Sequence, residues 1–149
     1  MLKHNNGRFY LGNVSFVLPD DMYINPYCEV DIEAGFELVS ADGRTYITVM
    51  GNESADNAKE AIESIFDEEG TFEQLSDIQN IRVEDLNGYW VKYKSSKYIN
   101  IECAIDLPSC LDAVTLTVWV RAKCECSQKE IDLLMQKYKQ VLDSVSLLF

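Results

Sequence analysis

Two stretches in the C-terminal half of this chain alternate apolar and polar residues with a period of two, and they leave little freedom of fold. In the first, Ile99, Ile101, Cys103 and Ile105 alternate with Tyr98, Asn100, Glu102, Ala104 and Asp106. In the second, Val114, Leu116, Val118 and Val120 alternate with Thr115, Thr117, Trp119 and Arg121. Successive side chains of a strand point to opposite faces, so each stretch reads as a strand with one greasy and one wetter side. The greasy side must be sealed. Its seal follows directly: Ser127 and Glu130 form an S-x-x-E capping box, and Ile131, Leu134, Tyr138, Val141, Leu142 and Val145 keep helical spacing to residue 145.

The upstream residues supply more strands and one shorter helix. In FYLGNVSFVLP, which starts at Phe9, a first arm breaks at Gly12-Asn13, and a second runs from Val14 to Leu18 until Pro19 stops it. The stretch from Met22 to Gly35 has no clean period and reads as irregular. FELVSADGRTYITVM is a hairpin about Asp42-Gly43, expected as a type I′ turn, with Phe36 opposite Val49, Leu38 opposite Ile47 and Val39 opposite Tyr46. Ser54 can cap a helix reaching about Asp67, whose stripe is Ala55, Ala58, Ile62, Ile65 and Phe66.

VEDLNGYWVKY, residues 83–93, is harder. A two-residue turn on Asn87-Gly88 would put the apolar residues of its arms on opposite faces. A three-residue loop, Leu86-Asn87-Gly88, pairs Val83 with Val91 and Ile81 with Tyr93, and a one-residue slip of this kind moves a whole strand across the sheet. Burial therefore selects the second register, with Gly88 at positive φ in a G1 bulge and Trp90 on the wetter face.

The resulting fold class is α+β: an antiparallel sheet of about six to seven strands, with the long C-terminal helix on one face. The wetter face is left to the Ser54 helix, which would make an α/β/α sandwich, or stays partly open. With 149 residues and no Pro/Gly-rich linker, one domain over 1–149 is expected. No apolar run approaches the roughly 20 residues of a bilayer span, and MLKHNNGRFYLGN has no apolar signal-peptide core. Five cysteines, at 28, 103, 110, 124 and 126, make an odd count that suits reduced thiols. Cytoplasmic residence is the expectation.

The run GNVSFVLPDDM resembles the strand-then-proline opening of PsbP/Mog1-type domains, in which an F-x-x-P strand precedes an irregular segment. The order hairpin, helix, meander and terminal helix ending in LDSVSL is also similar to that group. The likeness spans nearly the whole chain. It implies a mostly non-catalytic domain of the kind that serves as an accessory subunit, as a binder of a small GTPase, or in bacterial proteins of unassigned role. None of that group's functional motifs maps here residue by residue.

The chemistry-bearing residues point the same way. His4, the one histidine, is expected in a loose N-terminal segment, with nothing in the sequence to anchor it beside a nucleophile. Cys124-Glu-Cys126 is a lone C-x-C where a structural zinc site wants four ligands, so no metal or cofactor is assigned. A helix dipole at Ser127 could lower the Cys126 thiol pKa, while alternation makes Cys124 core and Cys126 a rim thiol. The carboxylate pairs Asp20-Asp21, Glu68-Glu69 and Glu84-Asp85 read as solvated acids. DEEGTFE, residues 67–73, lacks the order of a calcium loop, and no phosphate-cradling glycine motif is present.

Charge gives the clearest functional hint. Of the formal charge of −12, the segment from Glu53 to Asp85 carries −9, eleven acidic residues against Lys59 and Arg82. Such a belt repels nucleic acids and anionic membranes and attracts basic proteins. Trp90, Trp119 and Tyr98 beside Arg82, Lys92 and Lys94 form the candidate partner-binding face, since Trp, Tyr and Arg dominate interface hot spots. The reading is a non-catalytic protein-binding or accessory module, bacterial and cytoplasmic, with a basic protein partner. The alternatives are a small-ligand binder or thiol-dependent enzyme using a sheet–helix cleft, and a self-associating subunit.

Overall fold

The computed structural model describes residues 3–5, 8–11, 14–17, 19, 21–25, 35–52, 56–67, 70–83, 85–108 and 115–147. Its centre is an eight-stranded antiparallel sheet. The strands are β4 (Met22–Ile24), β5 (Gly35–Ser40), β6 (Thr45–Asn52), β7 (Glu73–Gln74), β8 (Gln79–Val83), β9 (Leu86–Lys94), β10 (Tyr98–Asp106) and β11 (Thr115–Lys123). Their spatial order is β4-β5-β6-β11-β10-β9, and β7 and β8 share the outer edge of β9. The alternation at 98–106 and 115–121 does what its period demands. Ile101, Cys103, Ile105, Leu116, Val118 and Val120 are buried on one side, joined by Ile47 and Val49 from β6 and Leu38 from β5.

Helix α2 (Gln128–Ser144) seals that side with Leu134, Tyr138, Val141 and Leu142. The capping box is present: the Ser127 hydroxyl accepts the Glu130 N–H at 3.3 Å, and Glu130 Oε1 accepts the Ser127 N–H at 3.4 Å. The opposite side receives α1 (Ala58–Glu63) and a following 3₁₀ turn, Ser64–Phe66. There Ala58 and Ile62 pack on Val91, Tyr93 and Ala104 in a second, smaller core. The molecule is the α/β/α sandwich. The N-cap is Asn57, whose side chain accepts the Glu60 N–H at 2.8 Å. The expected cap at Ser54 and the stripe residue Ala55 lie outside the described residues. Asp106 anchors the helix start on β10, accepting the Ala58 N–H at 2.7 Å.

A second sheet was not foreseen. The strands β1 (Lys3–Asn5), β2 (Arg8–Leu11) and β3 (Val14–Val17) form an antiparallel meander completed by β12 (Ser146–Leu147), just after α2. Phe16 carries it into the main core, and the Ser144 hydroxyl accepts the Val17 N–H at 2.7 Å. β4 is likewise a strand where irregular chain was expected. Three of its residues pair with β5, too few for a period to show.

The hairpin 35–52 has the expected register, with Phe36, Leu38 and Val39 opposite Val49, Ile47 and Tyr46. Its turn differs. Only Gly43 has positive φ, +70°, and its N–H donates to the Ser40 carbonyl at 2.9 Å. This is a four-residue loop in place of type I′, held by the Asp42 carboxylate, which accepts from the Ser40 hydroxyl at 2.6 Å and the Arg44 N–H at 3.1 Å.

The larger correction concerns β8 and β9. Val83 pairs with Leu86 and Ile81 with Gly88, so the chain reverses between Val83 and Leu86, with Asp85 at φ +62°. Gly88 does not have positive φ. It lies inside β9, where a Cβ would sit 3.0 Å from the Ala104 carbonyl oxygen and 3.4 Å from side-chain atoms of Ile81 and Ile105. Ile81 and Trp90 consequently share the α2 side, while Val91 and Tyr93 are buried under α1. The physical reason is that β9 is apolar on both faces. Burial alone cannot set the phase of a strand covered on both sides.

Candidate functional site

The rephasing of β9 divides the six residues read as one partner-binding face. Trp119 and Tyr98 remain on the α1 side of the sheet. Trp90 lies on the α2 side, and Lys92 and Lys94 follow it there by alternation. Arg82 stands on the edge strand β8, opposite Asn87, and donates from Nη1 to the Asp85 carbonyl at 3.3 Å. A single surface displaying both indoles does not exist.

Around Trp119 the sheet builds a closed polar cluster. The Arg121 guanidinium lies over three rings, 4.5 Å from the centroid of Tyr46, 4.8 Å from Tyr98 and 5.0 Å from Trp119. This is cation–π geometry on three sides of one charge. Arg121 Nη2 donates to Glu37 Oε2 at 2.9 Å, and the same carboxylate accepts from Thr48 at 3.1 Å and Asn25 at 2.8 Å. Trp119 Nε1 donates to Asn100 at 3.1 Å. The cage is filled by the chain's own arginine. Sequence reasoning had Arg121 beside Trp119 but missed Tyr46, which pairs with it across β6–β11, and Glu37, which reaches it from β5 across 84 residues of chain.

Next to it, the Tyr93 hydroxyl donates to Glu102 Oε1 at 2.9 Å. Burial raises the Glu102 carboxyl above the usual range against the lowering effect of that hydrogen bond.

Trp90 meets a different set of residues. With Ile81 and Val83 on the sheet and Met135 and Leu142 on α2, it lines a groove of about 330 Å³. Arg82, Lys139 and Asp143, all exposed, also border it. Tyr138 is also in the wall. Its hydroxyl lies beside the Cys103 thiol. Burial lifts that phenol well above its ordinary value and pushes the Cys103 thiol up to about 12.

The C-x-C motif is inverted relative to expectation: Cys124 is exposed and Cys126 is in the main core. The Cys126 pKa is raised, first by burial and then by Glu130, so the helix terminus does not activate it. Cys28 and Cys110 lie outside the described residues. Among the described residues, no three His, Cys, Asp or Glu side chains come together as a metal site. No helix there is long and apolar enough to cross a membrane.

The acidic belt runs over α1, β7, β8 and their connections. Asp56, Glu60, Glu63, Asp67, Glu73, Asp77 and Asp85 are all exposed. Among the described residues, the belt's ion pair is Lys59–Glu63 at 3.9 Å. Two apolar side chains stand out in it, Phe72 at 36% and Leu75 at 41% exposure. Phe72 is edge-on to Tyr93 at 5.2 Å, which ties the belt to the smaller core.

No family model matches the chain, and no curated protein matches it. Solved structures do. A point mutant of the protein Mog1 superposes with TM-score 0.56 at 13% identity, over 97% of each chain. The Saccharomyces cerevisiae Ran-binding protein Mog1p gives 0.54 at 13% identity, over 93% of this chain and 92% of that one. A Bacteroides thetaiotaomicron protein gives 0.53 at 10% identity, over 96% of this chain and 49% of the other. The chain has a Mog1/PsbP-like fold.

Proposed function

We propose that this chain is a non-catalytic docking module that binds a basic surface of a protein partner through the belt on α1, β7 and β8. One observation carries the reading. Seven exposed carboxylates, nearly free of ion pairs, run along α1, β7, β8 and their connections, and two of them, Glu73 and Asp77, lie within two residues of exposed Phe72 or Leu75 in the chain. Carboxylates with few internal ion pairs lower the solubility cost of exposed apolar groups and steer an oppositely charged protein onto them. The two apolar residues supply the contact that charge alone does not. That a structural neighbour is named a Ran-binding protein supports protein docking as a use of this fold. The partner here is inferred as basic and the setting as cytoplasmic. Trp119 and Tyr98 are held in the arginine cage, and Trp90 is in a groove elsewhere, so neither indole belongs to this surface.

The test compares the chain with a variant carrying Glu60→Gln, Glu63→Gln, Glu73→Gln and Asp77→Asn, each immobilised and exposed to extract from its native source. Retention of a basic protein by the wild type at low salt, lost in the variant and at high salt, is expected. Equal retention by both would refute the belt as the docking surface.

A further inference from the structure

Among the described residues, the five residues of β8 form the longest open edge of the main sheet. β8 pairs with β9 alone, and the other edge strands, β4 and β7, have three and two residues. Two residues separate Val83 from Leu86, a spacing that makes them a hydrogen-bonded pair. Alternation then bonds Ile81 to Gly88 and Gln79 to Trp90, and turns the N–H and C=O groups of Asn80 and Arg82 outward. Among the described residues, no hydrogen bond uses those four groups. A row of this kind is a template for one more strand.

The two sides of this edge differ, and the difference describes the strand that fits it. On the α2 side, Ile81 and Val83 lead into the groove lined by Trp90, Met135 and Leu142. The charged residues that α2 adds there, Lys139 and Asp143, are of opposite sign, so the groove favours apolar groups. On the α1 side, alternation places Asn80 and Arg82, and Glu60 and Glu63 of α1 are exposed. Asp77 and Asp85 flank β8, both exposed and, among the described residues, without an ion pair. Residues 77–85 carry three acids against Arg82, whose guanidinium is turned back onto the Asp85 carbonyl at 3.3 Å. A second copy of a chain of net charge −12 would bring like charge to this edge.

We propose that β8 takes up an extended basic segment of a protein partner as an added antiparallel strand. Its alternate apolar side chains enter the groove, its lysines or arginines face the acidic side, and its backbone pairs with Asn80 and Arg82. The charge of this occupant rests on the docking reading above. The open edge and the groove do not.

Calorimetry of the full chain at low salt with a capped heptapeptide of alternating lysine and valine tests the proposal. Residues opposite Asn80 and Arg82 share their face, so the lysine N–H groups point at β8 and the valine N–H groups point away. Saturable binding is expected, kept when the valine amides are N-methylated and weakened about tenfold or more when the lysine amides are. Asn80→Pro, which removes an outward donor from an edge strand, should weaken the unmethylated peptide likewise, and Asn80→Thr should not. No binding, or equal binding of the two methylated peptides, would overturn the proposal. In the second case, loss of both peptides in the four-residue belt variant would leave the docking reading standing. If the belt variant instead binds as tightly as wild type, with the methylation difference intact, strand addition stands and the belt fails. Dimerisation of the chain alone that Asn80→Pro abolishes would assign the edge to a second copy and overturn the proposal.

Discussion

Glu37 and Arg121 are the residues on which the wet face of the sheet most depends. Glu37 is 5% exposed, and its carboxylate is balanced by one guanidinium and two neutral donors. Removing one member of a buried pair strands the other, at a cost of about 3 kcal/mol or more. Glu37→Ala should therefore lower the urea midpoint markedly. The Glu37→Leu/Arg121→Met double variant should lose less than the sum of the two single variants. Glu102 makes a prediction in pH. Its carboxyl is raised by burial, so the folded chain binds its proton more tightly than the unfolded chain. Stability therefore falls as pH rises from the unfolded carboxylate value through the folded one. Asp21, Asp42 and Glu130 are shifted the other way, by hydrogen bonds first, and lose their contribution as pH falls through their folded values. Relative to wild type, Glu102→Gln should gain stability in urea unfolding as pH rises above the unfolded carboxylate value through the raised folded one. An unchanged difference across that range would deny the burial effect.

At the scale of elements, terminus and turn chemistry have definite costs. Ser127→Ala removes half of the α2 capping box and should cost about 1 kcal/mol in chemical denaturation. Asp85 holds a left-handed conformation that a glycine adopts without strain. Asp85→Gly should be neutral or stabilising by up to about 1 kcal/mol. Gly88→Ala should destabilise, because the added methyl meets the Ala104 carbonyl and not because of φ. The two outcomes together locate the turn. If Gly88→Ala were harmless and Asp85→Gly damaging, the register of β8 on β9 would be wrong. Asn87-Gly88 is a strong turn signal in isolation. It loses here because β9 needs a residue without a side chain where Ile81 and Ile105 converge, and because Asp85, three residues before Gly88, tolerates the left-handed region in the turn.

Across the whole molecule, the belt sets charge against charge without internal relief. The four-residue neutralisation used to test docking should raise the thermal midpoint at low salt, with the gain shrinking as salt is added, because self-repulsion is screened over about 10 Å. Loss of stability would mean that the carboxylates serve the fold. How the parts assemble shows where sequence reading stopped. The strands at 98–106 and 115–123, helix α2 with its cap, and the pairing of 36–39 with 46–49 were all legible, since each is written in a local period, cap or turn. Helix α1 was legible in its stripe and misplaced at its start, where Asn57 is the cap seen. The sheet of β1, β2, β3 and β12 was not legible, because its closing strand of two residues comes from the far end of the chain. Nor was the candidate site: whether Trp90 faced the docking side depended on the phase of one strand. By itself, then, the sequence determined an antiparallel sheet with one greasy face, a capped helix to seal it, and an acidic segment from 53 to 85. Tertiary structure decided which side of β9 faces α2, because a strand apolar on both sides carries no local signal of its phase. That choice sent the two tryptophans to opposite faces, one into an arginine cage and the other into a groove.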